Sequence, residues 1–151
     1  MELKTNDFVF VLIQFGLCLT YVLDIFIIEV NWPEFIGIVG LLVSIFGVLI
    51  GIISLIQLNK NLSPFPSPKL DSELVQTGLY KFIRHPIYTG ILCIAFGYGF
   101  YIGSVFKLII AIAIYFLFYF KSRYEEKKLL AFFKEYKRYK ESTGRFLPRF
   151  F

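Results

Sequence analysis

Residues 87–120 read IYTGILCIAFGYGFYIGSVFKLIIAIAIYFLFYF, and the length of this apolar run decides the fold. Lys107 is its one charged residue. A single straight helix over the run would be about 51 Å long, too long for one crossing of a hydrocarbon core about 30 Å thick, whereas two full crossings need about 40 residues. A compact helical hairpin meets both constraints. Its turn is expected among Gly97, Gly99, Gly103 and Ser104, with the second helix running on past Lys121.

Toward the N-terminus, residues 8–30 and 35–58 are two further apolar spans of crossing length. Asp24 interrupts the first, and an acid at depth is costly enough that it should face a neighbouring helix or lie near the interface. Asn31-Trp32-Pro33-Glu34 reads as a turn, with Trp32 suited to the headgroup belt. In the second span Gly47 and Gly51 form a small-xxx-small pattern that lets a partner helix approach closely; internal packing is the default and homodimerisation the lesser option. The chain has 151 residues, 57% of them hydrophobic, and a mean hydropathy of +0.67, well above soluble domains. The expected class is an all-α membrane protein with about four transmembrane helices, the last two a compact hairpin, followed by a C-terminal amphipathic interfacial helix. One domain over residues 1–151 accommodates all of it.

The net charge of +5 is unevenly placed. Residues 121–151 hold ten Lys/Arg against four Asp/Glu, residues 60–84 four against two, and the rest two against five. Basic segments flanking apolar spans mark cytoplasmic loops rather than a nucleic-acid face. Four crossings then place both termini on the cytoplasmic side. The N-terminus lacks a signal-peptide core and cleavage site, so the first span is expected to be retained. Cys18 and Cys93 lie in apolar runs without metal-ligand spacing and read as small buried hydrophobes.

Residues 59–84 are polar and broken by Ser63-Pro64-Phe65-Pro66-Ser67-Pro68, which is neither helix nor central strand. A loop of this length between membrane spans is often functional. It ends in Arg84-His85-Pro86, where proline suits the first position of a helix and the chain's only histidine sits at the helix mouth. After the hairpin, residues 121–142 place Leu129, Phe132, Phe133, Tyr136 and Tyr139 at three- and four-residue steps, as an amphipathic helix does. A hairpin brings the start of its first helix beside the end of its second. Tyr80, Arg84, His85 and Tyr88 should therefore meet Lys121, Arg123, Glu125 and Glu126. On pattern alone the two glutamates equally suit solvated helix pairs with Lys121 and Lys128.

Leu74-Val75, Gly78, Tyr80, Arg84-His85-Pro86, Tyr88 and Gly90, followed by Glu125-Glu126 with Leu129, then Tyr136, Tyr139, Arg145 and Pro148, resemble the signature of the isoprenylcysteine carboxyl methyltransferase family. Phospholipid N-methyltransferases share its fold and motif layout, and the resemblance covers roughly residues 64–148. It implies an S-adenosylmethionine site between loop, hairpin mouth and tail, with S-adenosylhomocysteine as product and a lipid-like or prenylated acceptor arriving from the bilayer. Cofactor contacts are implied at Glu73, Leu74, Val75, Tyr80, Arg84, His85, Pro86, Ile87, Tyr88 and Glu125, substrate contacts at Lys121 and Arg123, and catalytic roles at Glu126 and Arg145. Where eukaryotic members carry a substrate-binding arginine this chain has Lys121, which keeps the charge but not the bidentate fork. Carboxyl O-methylation is the expected reaction. The alternatives are phospholipid or amine N-methylation, an NADPH-dependent sterol-type reductase, and a non-catalytic membrane scaffold.

Overall fold

The computed structural model describes residues 4–23, 25, 26, 29–68 and 71–149. Five α-helices follow in order: α1 (Thr5–Leu23), α2 (Glu34–Leu58), α3 (Pro86–Ile102), α4 (Val105–Phe132) and α5 (Tyr136–Ser142). Short 3-10 turns occupy Asn59–Asn61 and Gly78–Lys81 within the long loop. Three helices, α1, α2 and α4, are long and apolar enough to cross a membrane, and α3 is a shorter apolar helix of 17 residues.

The hairpin is α3–α4, and its turn is tighter than the glycine count implied. Gly103 takes the left-handed conformation (φ 71°), which glycine adopts without strain, and its N–H donates to the Gly99 and Phe100 carbonyls to end α3. Ser104 caps α4 by accepting from the Lys107 N–H. Gly97 and Gly99 are helical instead and serve packing: a Cβ on Gly99 would lie 2.8 Å from Leu108 on α4. On the other side α3 meets α2 along Gly40, Ser44 and Gly47, where a Cβ on Gly47 would come within 2.7 Å of the Gly90 carbonyl. The Gly47 pattern is thus used inside the chain.

Two expected elements end differently. The first span stops as helix at Leu23; Glu29 pairs with Ser104 in an isolated β-bridge and the Val30 N–H donates to the Gly103 carbonyl at 2.8 Å, so this stretch closes against the hairpin turn. Asp24 lies outside the described residues. The amphipathic helix expected over residues 121–142 is divided. α4 carries helix to Phe132, Phe133 turns extended, and only α5 resumes. Both faces of the stretch are occupied: Lys121, Glu126 and Lys128 are buried in polar contacts, and Tyr136 and Tyr139 are buried as well. Neither lysine is on a solvated face.

Antiparallel packing of α1 on α4 and of α2 on α3 gathers the start of α1, the end of α2, the start of α3 and the end of α4 at one end of the bundle. The apolar core at its centre is Leu92, Ile114, Leu117 and Phe118. The Arg84-His85-Pro86 mouth and the Glu125-Glu126 pair both lie at that end.

Candidate active site

Pro86 occupies the first turn of α3 with His85 as its N-cap. The residues before it pair with the C-terminal tail: Arg84 and His85 N–H groups donate to the Gly144 and Arg145 carbonyls at 2.9 and 3.1 Å, and the Gly144 N–H donates to the Phe82 carbonyl at 3.1 Å. Thr89 Oγ1 adds a hydrogen bond to the Phe146 carbonyl at 2.7 Å. The tail therefore lies across the mouth of α3.

Glu126 fastens this arrangement to α4. Its carboxylate, 1% exposed, accepts from Arg84 Nε at 3.0 Å and Arg145 Nε at 3.2 Å, with Lys140 Nζ at 2.9 Å. Arg84 Nη1 also donates to the Lys140 and Thr143 carbonyls, satisfying the free end of α5. Charge-assisted bonds of this kind are short and directional. They hold mouth, tail and α4 as one frame.

Inside the frame is a cavity of about 360 Å³, within the size range of small-molecule sites. Leu74, Val75, Ile87 and Ile91 give it apolar walls, and Tyr80, His85, Tyr88, Lys121 and Glu125 give it polar groups. Glu125, a quarter exposed, accepts from the Tyr88 hydroxyl at 3.0 Å and lies 3.7 Å from His85 Nδ1. The His85 ring, 6% exposed, stacks parallel on Tyr88, which stacks in turn on Phe118 with 4.4 Å between centroids. His85 Nε2 is buried without a hydrogen-bond partner, 3.5 Å from Glu126 Oε1. Burial pushes the phenols of Tyr80, Tyr136 and Tyr139 above the usual tyrosine range, Glu125 adding to the effect at Tyr80 and Glu126 at Tyr136. They are neutral donors at any ordinary pH.

Of the residues singled out in the sequence, Glu73, Leu74, Val75, Tyr80, Arg84, His85, Ile87, Tyr88, Lys121 and Glu125 all border this cavity. Glu73 does so from its exposed rim, paired with Lys60 at 2.9 Å. Pro86, Glu126, Arg145 and Arg123 do not border it. Arg123 is exposed, with its guanidinium over the Tyr119 ring at 5.8 Å, and Glu126 and Arg145 are engaged with each other. The sequence reading missed Gln14 of α1 and the proline-rich residues 64–68, which form another wall. It also missed the buried Asp7, which accepts from Lys128 Nζ at 2.8 Å. Lys121 and Lys128 are seven residues apart on one helix face, as are Asp7 and Gln14, but that spacing does not say that the two helices pair.

Comparison with solved structures finds the fold in a eukaryotic intramembrane Ras methyltransferase, isoprenylcysteine carboxyl methyltransferase, with a TM-score of 0.65 and 20% identity over 98% of this chain. The match covers 54% of that protein, so the chain spans about half its neighbour's length. No curated protein matches the sequence. Residues 35–136 match the phospholipid methyltransferase family, a stretch running from α2 through the hairpin to the first residue of α5. With more than half of its length in that match, the chain belongs to the phospholipid methyltransferase family of membrane methyltransferases.

Proposed function

We propose that the chain is an S-adenosylmethionine-dependent methyltransferase acting on a membrane-embedded, lipid-like acceptor, with the 360 Å³ cavity as its cofactor site. The observation that carries this reading is the donor set of the cavity. An accessible carboxylate, Glu125, stands 3.7 Å from the imidazole nitrogen His85 Nδ1, and both residues border the cavity. A carboxylate suits the ribose hydroxyls or the ammonium of such a ligand, and an imidazole has both a donor and an acceptor to offer. Leu74, Val75 and Ile87 suit the flat apolar faces. S-adenosylmethionine, when bound, supplies a methyl group on a sulfonium that is transferred in line to a nucleophile.

The chain's own contribution is positioning and the exclusion of water. The tail across the mouth and the proline-rich wall shield the cavity, and the Glu126 frame holds Arg84 and His85 in register. Glu126 and Arg145 act there as positioning residues. Lys121 Nζ donates to Gln14 Oε1 at 2.6 Å and the Pro64 carbonyl at 3.0 Å, both neutral, which leaves one ammonium N–H and its charge for a ligand. That charge favours an ionised carboxylate acceptor, which needs no general base. Phospholipid or amine N-methylation is the second reading, favoured by the family match. An amine must lose a proton, and His85, which borders the cavity, is the candidate base. The basic loop and tail place this end of the bundle on the cytoplasmic side.

Binding to the detergent-purified chain tests the reading. S-adenosylmethionine should bind and NADPH should not, and Glu125→Ala should weaken binding at least about tenfold, about 1.4 kcal/mol, with the melting temperature retained. NADPH binding alone would favour the reductase, and binding of neither would leave the scaffold reading. Mass spectrometry of lipids and prenylated acids incubated with labelled S-adenosylmethionine then separates O- from N-methylation.

A further inference from the structure

α1 precedes the segment that matches the family, and Asp7 is the one residue of the helix that is fully buried. The helix runs antiparallel to α4 and meets it through polar contacts spaced seven residues apart on α1 and fourteen and seven apart on α4. Tyr21, Gln14 and Asp7 face Lys107, Lys121 and Lys128: Lys107 Nζ donates to the Tyr21 carbonyl at 2.6 Å, Lys121 Nζ to Gln14 Oε1 at 2.6 Å, and Lys128 Nζ to the two Asp7 oxygens at 2.8 and 2.9 Å. Two of these contacts also grip the proline-rich loop. Lys121 holds the Pro64 carbonyl, and Ser67 Oγ accepts from Lys128 Nζ while donating to Asp7 Oδ2 at 2.7 Å. Phe65, between them, packs edge-on against Phe8 of α1 with 5.1 Å between centroids.

All three N–H groups of Lys128 are thereby committed, to Asp7 Oδ1, Asp7 Oδ2 and Ser67 Oγ. A buried ion pair of this kind is weak support for stability, because an apolar pair of similar volume often does as well; its best-attested use is to fix register. The apolar side chains of α1 give it no register of their own. Its lipid-suited side chains fit equally well at many depths, whereas an ammonium with three fixed acceptors fits at one.

We propose that Lys128 is a positioning residue for the cofactor site: with Asp7 and Ser67 it fastens α1 and the 64–68 loop to α4 and so sets the wall of the cavity. This rests on the reading of the cavity as the S-adenosylmethionine site. Two variants of the full chain test it. Ser67→Ala releases the loop and leaves the ion pair intact. The double variant Asp7→Leu/Lys128→Met removes the pair, and neither residue borders the cavity.

In both, amide hydrogen exchange at Phe65 and Ser67 or its replacement should quicken, and the dissociation constant for S-adenosylmethionine should rise about tenfold. KM for the cofactor should rise similarly while kcat holds. Wild-type cofactor affinity in the double variant, or a lowered melting temperature with unchanged exchange in the loop, would overturn the proposal by marking the cluster as a stability element. If the unsubstituted chain binds no S-adenosylmethionine while exchange quickens in both variants, the cofactor reading fails and the fastening of the loop stands.

Discussion

The α2–α3 seam and the α1–α4 seam join apolar helices by opposite means. Between α2 and α3 the backbones nearly touch: a Cβ on Gly40 would lie 2.6 Å from the Gly97 carbonyl, and one on Gly47 would lie 2.7 Å from both the Gly90 carbonyl and the Cys93 Cβ. Between α1 and α4 contact is made by long side chains, three lysines reaching across to an acid, an amide and a carbonyl. In lipid there is no hydrophobic gain from pressing two apolar helices together, so association rests on close packing or on interhelical hydrogen bonds. The first seam lies within the family match and uses packing; the second involves a helix outside it and uses hydrogen bonds. Packing of backbones tolerates no added atom, whereas polar contacts tolerate exchange as pairs.

That difference is most sharply tested at Lys128. Lys128→Met alone leaves the Asp7 carboxylate buried without its cation and should cost about 4 kcal/mol of stability. Adding Asp7→Leu should restore most of it, read as the melting temperature of the single and double variants. Equal losses in single and double would show that the second seam is as intolerant as the first.

Gly47→Leu probes the other seam and should cost about 3 kcal/mol, because the new Cβ meets backbone and the helices must separate. No second substitution on α3 should compensate, since the Gly90 carbonyl cannot be trimmed. A wild-type melting temperature, or rescue by a smaller residue at Cys93, would show that the seam can open and would break the contrast.

The same contrast explains what was legible in the sequence. The hairpin followed from the length of residues 87–120, and Tyr80, Arg84, His85, Tyr88, Lys121 and Glu125 of the cavity followed from the Arg84-His85-Pro86 mouth being brought against the end of the last crossing, whereas Glu73, Leu74, Val75 and Ile87 came only with the family resemblance. The α2–α3 seam was half legible, since Gly47 announced close packing but not its partner. The α1–α4 seam was not legible. Lys121 and Lys128 have neighbours at three- and four-residue spacing that suit exposed ion pairs, and local spacing cannot reveal that an acid at position 7 and an amide at position 14 will arrive from another helix. For the same reason Glu126, placed in the sequence beside Glu125 as one more site carboxylate, folds into the frame behind the cavity while Glu125 faces it. Adjacent helix positions point about 100° apart, which is enough to separate a ligand contact from a scaffold contact.

The smallest predicted effect comes from within the glycine pattern itself. Gly47 and Gly51 are one helical turn apart and read as one motif, yet a Cβ on Gly51 would have nothing within 4 Å. What approaches Gly51 is the space where a Cβ of Gly90 would be, 2.9 Å from the Gly51 nitrogen, so the close contact runs from α3 to the α2 backbone and leaves the Gly51 Cβ direction open. Gly51→Ala should therefore be tolerated and, by removing glycine's conformational freedom from a helix interior, should stabilise the chain by up to about 1 kcal/mol. Gly90→Ala should be destabilising. Melting temperatures of the two variants should move in opposite directions; a loss at both would mean that the seam is continuous through Gly51 and that the motif works as a unit.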